Sequence, residues 1–237
     1  MKRGLVFDTG PIISLTINNL LWLLEPLKKA FNGNFYITRG VYDELITRPL
    51  ETKKYKFEAL QVLPYISRGT LTHLADDELI QNKTNQLLEL MNKCFLVNNT
   101  PLKIVHYAEI ETVATALLLG HNTVVIDERT TRKYIEDPFS LKKTLERKLG
   151  NKVTVDRYCL KQVKNEIEKL KVIRSFELVI MAYELGLLDR YILNEERKLI
   201  SDLDHAVLEG ALWGIKLNGC SVREEDIKGA LNLVKHR

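Results

Sequence analysis

Four acidic residues, Asp8, Glu44, Glu109 and Asp127, have the types and positions to do chemistry together. Asp8 and Asp127 each end a short apolar run, which makes them acids delivered from the end of a buried strand. Such a group needs compensation. Glu44 and Glu109 fall in or near the first turns of helices that follow strands. Carboxylates packed together repel and take up protons, unless a hard cation that prefers oxygen ligands sits among them. The quartet therefore predicts a Mg²⁺ or Mn²⁺ site able to lower the pKa of a bound water and neutralise charge developing on a phosphoryl group. Helix capping is the structural alternative for Glu44, Glu109 and Glu111, and for Asp8 ahead of its own helix. Glu111 and Glu128 stand as reserves. Residues two apart on a helix point to different sides, so Glu109 and Glu111 are not equivalent.

The elements that must position these acids follow from periodicity and turn residues. Residues 4–8 read as a strand, Thr9-Gly10-Pro11 as a turn, and the following apolar stretch as a helix stopped by Asn32-Gly33-Asn34. Strands are predicted at 35–38, 70–73, 102–105, 123–126 and 152–155. Helices are predicted from 41, across 53–67 with loop, over 76–94 and over 109–119, where Gly120 suits the C-terminal cap. A basic helix is expected at 129–149, a charged one at 157–171, and further helices near 173–185, 202–217 and 223–235. Strands alternating with helices predict an α/β domain with a mainly parallel sheet, whose carboxyl edge receives Asp8 and Asp127 and is where ligands bind.

Composition agrees with a packed chain. Of 237 residues, 45% are hydrophobic and 28% charged, which excludes a disordered or collagen-like polymer. No apolar stretch approaches the ~18 consecutive residues of a membrane helix. Met1-Lys2-Arg3 is followed by only four uncharged residues before Asp8, so the start is expected to belong to the fold and not to a signal segment. Cys94, Cys159 and Cys220 stand far apart with no C-x-x-C pair, which argues against a disulfide framework or a cysteine zinc site and favours a reducing, cytoplasmic setting. The histidines show no metal-binding spacing.

The net charge of +4 hides an uneven distribution: residues 129–174 carry 14 basic against 6 acidic side chains, while the flanking parts are slightly negative. The segment opens with Arg129, Arg132 and Lys133 and continues through Lys142 and Lys143. It could attract a polyanion by counterion release or simply solvate a helix face.

Segments 5–15 (LVFDTGPIISL), 37–45 (ITRGVYDEL), 108–116 (AEIETVATA) and 124–129 (VVIDER) resemble, in order and spacing, the four acidic motifs of PIN-domain ribonucleases. The likeness covers about residues 3–135 and extends more loosely into 174–188. It implies a PIN-like, Rossmann-like three-layer domain over residues 1–155, with about five parallel strands, and a mainly helical C-terminal extension over 156–237 packed on the same core. It also implies Mg²⁺- or Mn²⁺-dependent endoribonuclease activity. Asp8, Glu44, Glu109 and Asp127 would be the catalytic and metal-binding acids, Thr9 would support them through its hydroxyl, and Arg129, Arg132, Lys133, Lys142 and Lys143 would contact RNA. Toxin-type and RNA-processing nucleases both fit, with an antitoxin or an RNA-processing partner respectively; a homodimer is a further option, and a membrane is not expected.

Two departures stand out. Ala108 occupies a position where many relatives have Gly, and residues 136–171 and 201–237 exceed a minimal PIN domain. Rival readings are a noncatalytic RNA-binding or scaffold protein with the same fold, and an aspartyl phosphatase. The phosphatase D-x-D-x-T motif would need its second acid at Gly10, and no phosphate-binding G-x-x-x-x-G-K-[ST] loop occurs.

Overall fold

A computed structural model of the chain describes residues 3–192, 200 and 202–234. Strand β1 (Gly4–Phe7) is buried along its whole length, as a strand flanked on both sides in a parallel sheet must be. Helix α1 (Thr9–Ile17) starts one residue past Asp8, with Pro11 in its first turn. After α2 (Leu24–Phe31) the chain turns at Asn32, which adopts a left-handed conformation with φ 52°, and enters β2 (Asn34–Ile37). The Thr38 hydroxyl accepts from Val41 N to start α3 (Arg39–Tyr42), which widens into a π-helical turn over Asp43–Thr47 and continues as α4 (Arg48–Glu51). Helix α5 (Lys56–Ser67), strand β3 (Thr72–His73) and helix α6 (Glu78–Met91) follow, the last capped by Asp77.

A small antiparallel unit comes next, β4 (Phe95–Val97) and β5 (Thr100–Pro101), ahead of α7 (Tyr107–Leu118) and β6 (Thr123–Val125). The remaining elements are α8 (Arg129–Glu136), α9 (Pro138–Leu149), β7 (Thr154–Val155), α10 (Arg157–Ile167), β8 (Lys171–Ile173), α11 (Ser175–Glu184), α12 (Leu203–Leu217) and α13 (Glu224–Val234).

Five strands form one parallel sheet in the order β3-β2-β1-β6-β8, and β5-β4-β7 form the second sheet. Leu5 pairs with Phe35 on one side of β1 and Val6 with Val124 on the other. The chain walks outward from β1 through β2 to β3, then crosses to the opposite side for β6 and β8. Strand order thus reverses beside β1, and crevices at such reversals hold ligands. Alternating side chains divide the core into two layers: Leu5, Phe7 and Val125 join α1, α2, α11, α12 and α13 on one face, while Val6, Val124 and Ile126 join α6, α7, α9 and α10 on the other. The architecture is a parallel five-stranded α/β sheet flanked by helices.

The structure departs from the sequence reading at four places, and part of the expected extension lies outside the described residues. The expected helix 129–149 breaks at Asp137, which closes α8 and caps α9 by accepting from Ser140 N, with Pro138 unable to continue the first helix. Residues 171–173 form the edge strand β8, where the expected helices 157–171 and 173–185 met, so the sheet itself extends past residue 155 into the segment read as an extension. The strand expected over 102–105 lies earlier, as β4 and β5. Cys94 and Cys159 are disulfide-bonded, contrary to the reading of their spacing, because α10 packs beside the end of α6 and brings residues 65 apart together. Finally, residues 193–199, 201 and 235–237, which fall within the expected helical extension, lie outside the described residues, as do 1 and 2. Among the described residues no helix is long and apolar enough to cross a membrane.

Candidate active site

Asp8 sits at the carboxyl end of the central strand, where its own N–H still donates to Val125 O of β6 at 2.9 Å. Its backbone is extended, so the carboxylate leaves the sheet edge ahead of α1. The side chain is buried at 5% exposure. Burial first, then the neighbouring Glu109 and Glu44, push its pKa up to about 7, although the N–H groups of Thr9 and Gly10 in the first turn of α1 favour the charged form. Glu109 and Glu44 therefore lie close enough to Asp8 for their charges to act on it.

Each of these glutamates is held by a threonine. Thr9 Oγ1 donates to Glu44 Oε2 at 2.6 Å, which ties the π-helical turn to the start of α1. Turns of this kind recur at functional sites. Thr131 Oγ1, on α8, donates to Glu109 Oε2 at 2.7 Å, and His106 N donates to the same oxygen at 3.2 Å. Glu109 thus caps α7, the structural alternative weighed for it. Burial and Glu128 raise the Glu109 pKa against these hydrogen bonds.

Asp127 is brought to the same sheet edge but is held differently. A Cβ placed on Gly10 would lie 3.7 Å from Asp8 Oδ2 and 3.4 Å from Asp127 Cβ, so the two aspartates flank that glycine. The Asp127 carboxylate, however, accepts from Ser14 Oγ at 2.8 Å, Ser175 Oγ at 2.6 Å and Ser175 N at 2.8 Å, and the residue is 2% exposed. The buried Cys220 thiol lies against it and is pushed up to about 12 by burial and the Asp127 charge. With three donors from α1 and α11, Asp127 binds the sheet edge to its helices.

The reserve acids are also committed. Glu128 Oε2 accepts from Thr131 N at 2.6 Å and caps α8. Glu111 Oε2 accepts from Gly40 N at 2.8 Å, joining α7 to the start of α3.

The basic residues divide. Arg129, Arg132 and Lys133 line a polar cleft together with Arg174 and Arg223. Lys142 instead pairs with Glu146 at 3.7 Å, and Lys143 is exposed on α9 away from that cleft. Sequence reading missed Ser14, Thr131 and Ser175, since a lone hydroxyl has no periodicity to mark it. It also missed Arg174 and Arg223, which reach the cleft through packing of the C-terminal helices.

As to whether a divalent cation fits, the donor set of Asp8, Glu44 and Glu109 consists of hard oxygens, and the Asp8 pKa is raised by burial first and by the two glutamates second, both of which a cation would offset. Among the described residues no three such side chains are already gathered as a metal cage; the two glutamates rest on threonine hydroxyls. Neither family models, curated proteins nor solved structures give a match to the chain.

Proposed function

We propose that the chain is a PIN-type nuclease that hydrolyses RNA phosphodiester bonds with Mg²⁺ or Mn²⁺. The observation that carries this reading is Asp8, buried at the sheet's strand-order reversal with Glu109 and Glu44 near enough to add to the effect of burial, which together bring its pKa to about 7. A buried carboxylate with acids beside it is costly in an apoprotein, and a cation held among them would offset that cost.

In this reading Asp8, Glu44 and Glu109 would hold the cation. Thr9 and Thr131 set the rotamers of the two glutamates. Asp127 is a positioning residue: it fixes the ends of β6, α1 and α11 around the site. A bound Mg²⁺ or Mn²⁺ supplies an activated water and neutralises charge on the phosphoryl oxygens. Arg129 and its neighbours on α8 lie beside the acids and hold the anionic strand.

The test is incubation of single-stranded and hairpin RNA with either metal. Cleavage by the wild type, lost in Glu44→Gln and Glu109→Gln, supports the proposal. RNA that is bound but never cut with either metal favours the noncatalytic RNA-binding reading.

A further inference from the structure

Along α8, the helix whose Thr131 reaches Glu109, the chain forms a polar cleft of about 400 Å³. One wall is Arg129, Arg132 and Lys133 of α8. The other is Arg174, just ahead of α11, with Ser221 and Arg223 ahead of α13. Arg132 Nη2 and Arg174 Nη1 both donate to Ser221 O, at 3.1 and 3.3 Å, which fixes the two walls to each other.

Five cations face three acids, Glu136, Asp137 and Asp226, and three of the cations are paired: Arg174 is held by Glu177 from outside the cleft, Arg223 by Asp226 and Arg132 by Glu136, which leaves Arg129 and Lys133 without an ion pair among the described residues. Asp226 accepts from Arg223 at 2.7 Å, Asp137 caps α9, and Glu136 stands 3.7 Å from Arg132. Lys133 Nζ donates to the hydroxyls of Ser140 and Thr144 and has no ion pair within 4 Å among the described residues. Its ammonium is held below the usual value by burial and by Arg129, Arg132 and Arg147. Arg132 Nε is buried with no acceptor among the described residues. The cleft therefore keeps an excess of positive charge, carried by Arg129, Lys133 and the unpartnered Nε of Arg132. Arginine forks match phosphate oxygens in geometry as well as charge.

We propose that this cleft binds a phosphate of an RNA strand flanking the one at the acid cluster, so that the C-terminal segment supplies half of the strand-holding surface. The position follows from α8 itself: Thr131 reaches Glu109, and the next residue, Arg132, lines the cleft. The flanking position of the strand rests on the nuclease reading; the phosphate site does not. Arg129 and Arg223 are exposed at its rim, as a passing strand requires.

The experiment measures binding of a labelled single-stranded RNA 12-mer to the full chain in EDTA across a salt series, so that no cleavage enters. Arg223→Gln and, separately, Arg129→Gln are expected to weaken binding ~3- to 10-fold at low salt and to reduce the salt slope by roughly 0.7 each, with unchanged melting temperature. Unchanged affinity and slope in both variants overturn the proposal, and so does a larger loss from Lys143→Gln than from either. A parallel arm follows the melting temperature in inorganic phosphate: stabilisation by phosphate that Arg223→Gln abolishes, with RNA binding intact, would make this a free-anion site and overturn the strand assignment. Because binding is read without metal, loss of RNA affinity in these variants stands even if no cleavage is found, and cleavage with unaltered binding defeats the cleft alone.

Discussion

Ser175 grips Asp127 twice, with its N–H on Oδ1 at 2.8 Å and its hydroxyl on Oδ2 at 2.6 Å. The first residue of α11 is thereby locked to the end of β6, and the loop carrying Cys220 closes over the pair, with Ser221 N on Asp127 O at 3.3 Å. The sheet edge that presents Asp8 is held from behind by this contact. Replacing Ser175 by Ala removes one of the two hydroxyls on Oδ2 of a buried carboxylate and leaves that of Ser14, a loss of about 1.5–3 kcal/mol for a hydrogen bond to a charged group, and should lower the melting temperature by roughly 3–10 °C. An unchanged melting temperature in Ser175→Ala would show that the hydroxyl contributes nothing.

Asp8 makes stability depend on pH in a defined direction. Its folded pKa of about 7 lies above the ordinary 3.8, so between those values the folded chain holds the proton more tightly than the unfolded chain. The contribution of protonated Asp8 is fully present below about pH 4 and is lost as pH rises to 7. In EDTA, the wild type should therefore lose stability between pH 5 and 8 relative to Asp8→Asn, by on the order of a few kcal/mol. Calorimetry of both proteins at the two pH values checks this, and parallel curves would contradict it.

The disulfide between Cys94 and Cys159 closes a loop across 65 residues of sequence separation and ties α10 to the end of α6. Chain-entropy arguments assign such a link about 4 kcal/mol. Reductant should lower the wild-type melting temperature by ~8–15 °C and leave Cys94→Ser unaffected. Equal melting with and without reductant would count against the bond.

Gly40 has no room for a side chain. A Cβ there would stand 2.6 Å from Glu111 Oε2, the oxygen that accepts Gly40 N. Gly40→Ala should cost about 1–3 kcal/mol by displacing a buried carboxylate. In a Glu111→Ala background most of that cost should vanish, a coupling that a double-mutant cycle by denaturant melts reads directly. Simple additivity would place the strain elsewhere.

How far these features could be read from the chain depended on their physics. Asp8 and Asp127 stood out because an acid closing an apolar strand is anomalous anywhere, and the parallel sheet followed from strand–helix alternation. The role of Asp127 did not follow, because its partners Ser14 and Ser175 are 113 and 48 residues away and carry no pattern of their own. Strand β8 was hidden by the charged residues ahead of it; an edge strand of three residues offers too few alternations to register. The cysteine pair and the meeting of Arg174 with Arg223 arise from helix packing, which local sequence does not encode.

The acids themselves give the most direct test. The measurement is the single-turnover rate of RNA cleavage in saturating Mn²⁺ by wild type and by Asp8→Asn, with folding of both confirmed by thermal melts. Metal-dependent cleavage by the wild type, reduced at least ~100-fold in Asp8→Asn while RNA binding persists, is the result expected of a carboxylate that helps hold the catalytic cation. Equal rates in the two proteins, or a folded wild type that binds RNA and leaves it whole, would contradict the account.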